Sequence, residues 1–342
     1  MRKDFREFNP DKKILITGAA GFIGAHLAKR LLRESAIVVG IDNMNDYYDV
    51  NIKKNRIKQL LGDTHFIFRE GNIADEKFIK QIFRKEKPDI VINLAAQAGV
   101  RYSIENPYAY MESNVMGFFN ILEACRKNGE EGKHPVEHLI FASSSSVYGN
   151  QDKVPFSVND AVDKPISLYA ATKKSNELMA YSYSHLYEIP ATGLRFFTVY
   201  GPEGRPDMAY FKFSEKIWNN SPIKIFNGGD MYRDFTYIDD IIEGMFRIIN
   251  NKPVENEEGD RFKIYNIGNN KPVKLMYFID VLEKQLGRQA IKEYYPMQPG
   301  DVYQTYADIT ELVNDFGFMP KTTVEEGLSR FAEWFIEWKE KK

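Results

Sequence analysis

Two side chains that could transfer a proton, Tyr169 and Lys173, lie four residues apart in the segment S-L-Y-A-A-T-K-K. In a helix this spacing places both side chains on one face, one turn apart. A free phenol, with a pKa of about 10, is a weak base at neutral pH, but a neighbouring ammonium group stabilises the phenolate and lowers the pKa. The pair could then take a proton from a substrate hydroxyl while a hydride leaves the same carbon. Because Y-x-x-x-K is a common pattern, an exposed lysine beside a packed tyrosine is the alternative.

Four consecutive serines, Ser143–Ser146, follow the apolar run of residues 136–141 and precede V-Y-G. A serine run usually marks a flexible linker, but this one follows what reads as a buried strand. Strand alternation would send the first and third serines to one side and the second and fourth to the other. We expect one of these hydroxyls to relay a proton to Tyr169 or to hold a substrate, whereas one or two of the others only permit close packing.

A glycine-rich turn, T-G-A-A-G-F-I-G, contains Gly18, Gly21 and Gly24 and lies between the first predicted strand and the first predicted helix. Glycine permits a tight turn and lets backbone N–H groups approach a pyrophosphate, and the helix N-terminus adds a partial positive charge. The spacing is G-x-x-G-x-x-G rather than the usual G-x-G-x-x-G, and three glycines could also form only a turn. Asp42 ends the second strand, where a carboxylate can accept both adenosine ribose hydroxyls and would repel a 2′-phosphate. This pattern favours NAD over NADP.

The elements that must position these residues form a strand–helix alternation through the first two hundred residues. The apolar runs are continuous, which is typical of strands that are buried on both faces of a parallel sheet. Predicted strands cover 13–17, 36–42, 66–68, 90–95, 138–143 and 192–197, and predicted helices include Phe22–Leu32, Glu76–Lys85 and Leu168–Tyr187. The alternation predicts an α/β fold with a doubly wound parallel sheet, in which ligands bind at the carboxyl ends of the strands.

The pattern changes after Tyr200, where short strands mix with helices. We predict a dinucleotide-binding domain of residues 11–200 plus about 234–270. A smaller, mixed and mostly helical domain would comprise residues 201–233 and 271–342 and bind the substrate. The chain would cross between the two regions more than once.

Composition excludes several classes of function. The 342 residues carry a formal charge of −2, which argues against a general nucleic-acid binder because no excess of cations exists to neutralise phosphates. No apolar run reaches the length of a membrane span, and the N-terminal segment M-R-K-D-F-R-E-F-N-P lacks the apolar core of a signal peptide. The single cysteine, Cys125, fits a reducing compartment and reads as a buried structural thiol. The five histidines show no metal-ligand spacing, so we expect no metal site. From the single cysteine and the polar N-terminal segment we expect a cytoplasmic protein.

The motifs occur in a recognisable order: the glycine turn, Asp42, N-L-A-A-Q-A (93–98), the serine run, Y-A-A-T-K (169–173) and R-D-F-T-Y-I-D-D (233–240). In this order they resemble the extended short-chain dehydrogenase/reductase family, which has a Rossmann fold, and within it the NAD-dependent epimerase/dehydratase group. The resemblance is closest to the UDP-glucuronate 4-epimerases, through longer segments such as L-R-F-F-T-V-Y-G-P-E-G-R-P-D-M. It covers most of residues 12–245 and extends to Q-P-G-D-V-Y-Q-T-Y-A-D (298–308).

The resemblance implies roles for individual residues. Tyr169 would be the base, Lys173 would tune it and hold the nicotinamide ribose, and Ser144 would be the hydroxyl partner. The implied NAD site comprises these two residues, Tyr169 and Lys173, together with Gly18, Gly21, Phe22, Ile23, Gly24, Asp42, Asn43, Asn72, Ile73, Leu94, Ala95, Ala96, Gln97, Asn114, Ser143 and Phe197. The family usually has Asp where this chain has Asn72, whose carbonyl can still accept from the adenine amino group.

The implied substrate site would bind a UDP-sugar in the smaller domain. Arg233, with Asp301 nearby, would grip the UDP part, since a guanidinium group recognises phosphate with two hydrogen bonds. Around the sugar and its carboxylate the resemblance implies Arg101, Ser144, Ser145, Ser146, Thr198 and Arg205. Decarboxylases and dehydratases of this group commonly carry an acidic residue within the equivalent of the serine run, whereas this chain has only hydroxyls there.

The implied reaction is the interconversion of UDP-glucuronate and UDP-galacturonate through a transient 4-keto sugar, with tightly held NAD⁺ and no net redox change. Alternatives are a UDP-glucose or UDP-N-acetylglucosamine 4-epimerase, a UDP-glucuronate decarboxylase and, from another class, a non-catalytic NAD-binding regulatory protein. The intact Tyr169–Lys173 pair argues against the last of these. The resemblance also implies a homodimer joined through parts of 107–127 and 168–187, and a role in polysaccharide biosynthesis.

Overall fold

A seven-stranded, wholly parallel sheet forms the centre of the protein in the computed structural model, which describes residues 5–298 and 301–341. Residues 1–4 of the N-terminal segment, Pro299 and Gly300 of the 298–308 motif, and residue 342 lie outside the described residues. The strand order is β11-β6-β5-β4-β1-β2-β3. The strands are β1 (Lys13–Thr17), β2 (Ile37–Asp42), β3 (Phe66–Glu70), β4 (Ile90–Asn93), β5 (His138–Ser144), β6 (Ala191–Phe196), β7 (Thr198–Tyr200), β8 (Ile223–Phe226), β9 (Tyr232–Arg233), β10 (Phe235–Tyr237), β11 (Phe262–Ile267), β12 (Val273–Lys274) and β13 (Lys292–Tyr295). The predicted doubly wound parallel sheet is confirmed.

Helices cover both faces of this sheet. They are α1 (Phe22–Arg33), α2 (Val50–Leu60), α3 (Glu76–Glu86), α4 (Tyr102–Glu105), α5 (Pro107–Tyr110), α6 (Gly117–Glu130), α7 (Leu168–Tyr187), α8 (Ala209–Trp218), α9 (Ile238–Ile249), α10 (Leu275–Leu286), α11 (Thr310–Phe316) and α12 (Val324–Glu340). A π-helical segment, Met111–Met116, joins α5 to α6. The long helix α7 begins where predicted because Ser167 caps it, its hydroxyl accepting a hydrogen bond from the backbone N–H of Ala170 at 3.1 Å.

The sheet strands are buried on both faces, as their continuous apolar runs predict. Neighbouring residues of β1 point to opposite sides: Ile14 and Ile16 join one hydrophobic cluster, and Leu15 joins another. Each side chain of this size stabilises the fold by roughly 1.5–3 kcal/mol when fully buried. The two clusters hold α1 and α9 on one face and α3, α6 and α7 on the other, so the carboxyl ends of the strands are fixed relative to the helices.

The C-terminal elements pack onto the sheet without a separate core. Sheet residues such as Ile16 and Leu194 belong to the same hydrophobic cluster as Phe278 of α10 and Phe331 of α12. Three pairs of short strands, β7 with β10, β8 with β13 and β9 with β12, carry the chain between the helices of this part. The division into two domains therefore stays a prediction about function rather than a boundary in the packing.

Two kinds of feature are absent from the described ranges. No helix there is both long and apolar enough to span a membrane. No group of three or more His, Cys, Asp or Glu side chains in the same ranges is arranged to hold a metal ion.

Candidate active site

A cavity of about 400 Å³ opens at the carboxyl ends of the central strands. All of the predicted cofactor residues except Asn114 line it. The whole serine run, Thr198 and Arg205 line it as well, so the structure brings cofactor and sugar residues together. Arg101, Arg233 and Asp301 lie outside this lining. The position agrees with the general rule that an open α/β sheet binds ligands beyond the carboxyl ends of its strands.

The glycine turn forms a cradle that side chains would fill. Gly18 has φ +73°, and a Cβ there would lie 2.8 Å from the backbone nitrogen of Ala95. A Cβ on Gly24 would lie 2.2 Å from the carbonyl oxygen of Gly18. Helix α1 begins immediately after Gly21, and the first N–H groups of a helix have no partner within it. The cradle therefore fits the pyrophosphate of a dinucleotide.

Asp42 is fixed at the end of β2 with lone pairs to spare. One carboxylate oxygen accepts from the backbone N–H of Ala20 at 3.1 Å, and the other accepts from that of Met44 at 2.9 Å. Each oxygen retains acceptor capacity for a ribose hydroxyl. The ammonium group of Lys53 lies 3.8 Å from Asp42, and burial lowers the pKa of Lys53. The arrangement fits an adenosine ribose with two free hydroxyls.

The proton-transfer residues converge at the junction of β5 and α7. The Ser144 hydroxyl lies near enough to the Tyr169 phenol to lower its pKa. The Lys173 ammonium donates to the backbone carbonyl of Ala142 at 2.8 Å. Burial of Lys173 lowers its pKa to about 8. Tyr169, Lys173 and Ser144 are thus in one place, as the sequence predicts.

The pKa of Tyr169 is shifted in the direction opposite to the one we expected. Burial raises the pKa of the phenol, and this outweighs the Ser144 hydrogen bond and the Arg205 charge, which lower it. Lys173 is not among the groups that shift it; its ammonium is directed to the Ala142 carbonyl. In the protein without bound cofactor, the groups that lower the pKa of Tyr169 are therefore Ser144 and Arg205, and not Lys173 as the sequence predicts.

The serine run does not alternate along a strand as predicted. Strand β5 ends at Ser144, and Ser145–Tyr148 form a turn of 3₁₀ helix. The turn is favoured because the Ser144 hydroxyl accepts from the backbone N–H of Ser146 at 3.1 Å, which caps it. Ser143 lines the cavity, but its hydroxyl donates to Glu177 at 2.6 Å. The expected sorting into two sides holds only for Ser143 and Ser144.

Arg205 is a cavity residue with an internal acidic partner. Its Nε and Nη2 both donate to the carboxylate of Asp207, the first at 3.0 Å. The Tyr47 hydroxyl donates to the same carboxylate at 3.3 Å, and burial raises the pKa of Tyr47 to about 12. Asp207 thereby fixes one edge of the guanidinium group. The edge formed by Nη1 and Nη2 has no further hydrogen-bond partner among the described residues and could bind a carboxylate.

Four predicted site residues lie outside the cavity lining. One, Asn114, supports a cofactor residue, and the other three lie near one another: Arg101, Arg233 and Asp301. Asn114 is buried and acts through Gln97, accepting from its backbone N–H at 2.8 Å and donating to its carbonyl at 3.0 Å. Arg101 forms an ion pair with Asp301 at 3.1 Å. Arg233 donates to the carbonyl of Tyr303 at 3.1 Å, and the charges of Asp301 and Arg101 both act on its pKa, which burial lowers.

Sequence reasoning missed four residues around this site: Tyr47, Lys53, Glu177 and Asp207. Glu177 follows Tyr169 and Lys173 at the next helical turn, so the spacing Y-x-x-x-K-x-x-x-E was a usable signal. Asp207 lies two residues after the predicted site residue Arg205, and this position was also a usable signal. Tyr47 and Lys53 belong to the segment after β2, where no local pattern marks a cavity residue.

The fold and this cavity define a member of the extended short-chain dehydrogenase/reductases. The sequence model of the GDP-mannose 4,6-dehydratase family matches residues 15–331, and the chain belongs to that family.

Known proteins of the family narrow the comparison. The chain is 50% identical over 340 residues to protein CapI of Staphylococcus aureus, covering 96% of this chain and all of that one. It is 46% identical to a probable UDP-glucuronate 4-epimerase of Rhizobium meliloti, covering 94% of this chain and 96% of that protein. Among solved structures, the UDP-glucuronic acid 4-epimerase of Bacillus cereus, in complex with UDP-glucuronic acid and NAD, superposes with a TM-score of 0.86. Its identity is 33%, and 95% of this chain and 99% of that chain are covered.

Proposed function

We propose that this protein is an isomerase, an NAD-dependent 4-epimerase that interconverts UDP-glucuronate and UDP-galacturonate. The observation that carries the proposal is that Ser144, Tyr169 and Lys173 line one cavity together with the glycine cradle. The likeness of the whole chain to UDP-glucuronate 4-epimerases supports the choice of substrate.

The cofactor is NAD, and the cradle and Asp42 fit it. The backbone of Gly18–Gly24 would hold the pyrophosphate, Asp42 the adenosine ribose, and Lys173 the nicotinamide ribose. When bound, NAD would supply the hydride acceptor in its oxidised form and the hydride donor in its reduced form, both acting at sugar C4. Because the reaction consumes no external reductant, we expect the oxidised cofactor to stay bound between turnovers.

The side chains of this protein move the proton. With its pKa lowered by the positive charge of an oxidised nicotinamide, Tyr169 would form the phenolate and remove the proton of the sugar 4-hydroxyl. Ser144 would donate a hydrogen bond that stabilises the negative charge on the phenolate. The sugar becomes a 4-keto species, turns over about the diphosphate and presents its other face. Tyr169 then returns the proton to the new 4-hydroxyl. General acid–base transfer of this kind contributes about 10²–10⁴-fold to a rate.

The sugar carboxylate would be held by Arg205 and the end of the serine run. The 4-keto form of a glucuronate is a β-keto acid, which loses CO₂ readily, so the carboxylate must be kept in an unfavourable orientation for that loss. The free edge of the Arg205 guanidinium and the uncharged hydroxyls of Ser145 and Ser146 suit this purpose, since none of them repels a carboxylate. Thr198 lines the same wall.

The UDP part would bind beyond the cavity, where Arg233, Arg101 and Asp301 cluster. We also propose that the protein is a homodimer in the cytoplasm and that its product feeds polysaccharide synthesis. Support for the dimer comes from exposed apolar side chains on α6 and α7. Support for the compartment is the single, buried Cys125 thiol, whose pKa burial raises, so it is poorly reactive.

The proposed function is tested by incubating the purified protein with UDP-glucuronate and no added cofactor. We expect UDP-galacturonate to form without CO₂, as followed by nucleotide-sugar chromatography and a CO₂ assay. Release of CO₂ with a UDP-pentose would instead indicate a decarboxylase. Turnover of UDP-glucose or UDP-N-acetylglucosamine but not UDP-glucuronate would indicate the other epimerases. Absence of any turnover by protein that retains NAD would favour a regulatory protein.

The carboxylate contact is tested by Ser146→Glu. A second negative charge beside the sugar carboxylate should repel it and permit its rotation, so we expect turnover of UDP-glucuronate to fall about tenfold or more, with a larger share of CO₂ among the products. Ser146→Thr, which keeps the hydroxyl, is the matched control. Unchanged turnover and product ratio in the glutamate variant would refute the carboxylate role of Ser146.

A further inference from the structure

A buried ion pair contacts the first residue of the serine run, Ser143. Arg195 of β6 donates through Nε and Nη2 to the two carboxylate oxygens of Glu177, at 2.8 and 2.9 Å. Both side chains are only 3% exposed. Burial raises the pKa of Glu177, but the Arg195 hydrogen bonds and charge outweigh it and leave the pKa below its ordinary value. A buried charge pair of this kind adds little net stability compared with apolar packing, so its presence calls for another explanation.

The pair takes part in the last of three contacts between α7 and the end of β5, counted from the N-terminus of the helix. On successive turns of the helix, Tyr169 meets the Ser144 hydroxyl, Lys173 meets the Ala142 carbonyl, and Glu177 meets the Ser143 hydroxyl at 2.6 Å. The spacing of four residues places all three side chains in one stripe. The first two contacts are made by residues of the proposed proton transfer, and the third is made by Glu177 of the ion pair.

The same pair is connected to the chain just before α11. Arg195 Nη1 donates to the Tyr148 hydroxyl at 2.9 Å, and that hydroxyl donates to the Asn266 side-chain carbonyl at 2.7 Å. The Asn266 amide donates in turn to the backbone carbonyl of Asp308 at 3.1 Å. All four side chains of this chain of contacts are buried.

We propose that Glu177 is a positioning residue, which with Arg195 fixes α7 on β5 so that the Tyr169 phenol and the Ser144 hydroxyl stay in hydrogen-bonding register. The proposal rests on the proposed function and deepens it, because it names a residue that acts on the proton transfer without touching the substrate. Loosening this anchor lets α7 shift relative to β5. Such a shift would increase the distance between Tyr169 and Ser144, which lie two helical turns from Glu177.

The acidic limb of the pH profile reports this register. The Ser144 hydrogen bond lowers the pKa of Tyr169, so a weaker bond raises that pKa and moves the limb to higher pH. The other groups that face the phenol lie on elements that Glu177 does not touch, apart from Lys173 on α7 itself. They are Tyr110 of α5 and, from the loop after β7, Arg205 and Asp207.

Two variants test the proposal. Glu177→Gln keeps the shape of the side chain but breaks the charge pair, and Ser143→Ala removes only the hydrogen bond between β5 and Glu177. The matched control is Glu243→Gln, which breaks a Glu–Arg pair to Arg247 at 2.7 Å on α9, outside the site. Each protein is assayed for kcat and KM across pH 5.5–9.5, with the UDP-sugar that the wild type turns over best, and for bound NAD and Tm.

For Glu177→Gln we expect kcat to fall at least tenfold, KM and bound NAD to stay within about twofold, and the acidic limb to rise by about half a pH unit or more. Ser143→Ala should change in the same direction by a smaller amount, and Glu243→Gln should match the wild type. A lower Tm with unchanged kcat and limb would overturn the proposal, because Glu177 would then be only structural. If Glu177→Gln does not fold, an unchanged Ser143→Ala overturns it. A wild type that turns over another UDP-sugar but not UDP-glucuronate refutes the substrate choice alone.

Discussion

Ser144 performs two tasks at once at the centre of the site. Its hydroxyl caps the 3₁₀ turn by accepting from the Ser146 N–H, and it lowers the pKa of the Tyr169 phenol. A hydroxyl has one donor and two acceptor sites, so the two tasks are compatible when Ser144 donates to the phenolate and accepts from the backbone. The turn therefore aims the proton donor at the phenol, and the serine run is an element of the site and not a linker.

Lys173 gives a pH prediction at this scale. Burial lowers its pKa to about 8, and the two negative charges of a dinucleotide favour the ammonium form. Above pH 8 the free protein loses this proton, so the affinity for NAD should fall by up to about tenfold per pH unit, whereas it should be nearly constant below pH 7. Calorimetric titration of nucleotide-free protein with NAD from pH 6.5 to 9.5 measures the slope.

In Lys173→Met the affinity should be lower at pH 7 and independent of pH in that range. Lys54→Met, which removes an exposed lysine of α2, should retain the slope. A slope that persists in Lys173→Met would show that another group titrates.

The glycine turn makes a prediction about the junction of β1 and α1. A Cβ on Gly24 would lie 2.2 Å from the Gly18 carbonyl oxygen, which is too close for any real contact, so the helix must move away from the turn. We expect Gly24→Ala to lose bound NAD and to be destabilised by about 2 kcal/mol or more. The NAD content of the purified protein and a urea unfolding curve measure both effects.

Gly62→Ala is the matched control for that substitution, since a Cβ on Gly62 meets nothing within 4 Å. It should retain NAD and the wild-type stability. Normal NAD content in Gly24→Ala would contradict the close-packing argument for the turn.

Elements with a strong local signal were predictable from the sequence, and elements set by tertiary contacts were not. Strand β1 and helix α7 have the predicted bounds, because an apolar run fixes the first and the Ser167 cap fixes the start of the second. The turn after Ser144 was missed because a side-chain cap overrides strand alternation there. The helical spacing of Glu177 from Lys173 was visible in the sequence, but its pairing with Arg195 of β6 was not, because that contact exists only in the folded chain.

The same contrast applies to the site. The cofactor half was predictable because turn glycines and a strand-end carboxylate leave local patterns. The direction of the Tyr169 pKa shift was not, since it depends on how deeply the phenol is buried and on Arg205, which comes from a distant loop.

Assembly belongs to the scale of the whole molecule. Large apolar side chains are exposed on the adjoining surfaces of α5–α7, among them Tyr108 at 84%, Phe119 at 40% and Leu178 at 58%. Because apolar surfaces of this kind are typical of protein interfaces, we propose that this surface forms the dimer contact. We expect Leu178→Glu to convert the protein to a monomer, because a charge at the centre of the interface would be buried without a partner.

Light scattering of the wild type and the variant at several concentrations measures this change. Met319→Glu alters a side chain that is equally exposed, at 62%, but lies elsewhere, and it should leave the assembly unchanged. A monomeric wild type would contradict the homodimer.

The hydrophobic cluster that runs from the sheet into α10 and α12 sets how substrates can enter. Enzymes that close by rotating two lobes need a seam of few contacts between them, and here Ile16, Leu194, Phe278 and Phe331 belong to one packed body. Rotation of α10 and α12 as a rigid unit away from the sheet would expose this hydrophobic cluster to water. We therefore expect the nucleotide sugar to enter by movement of surface loops at the cavity mouth and not by rotation of two lobes.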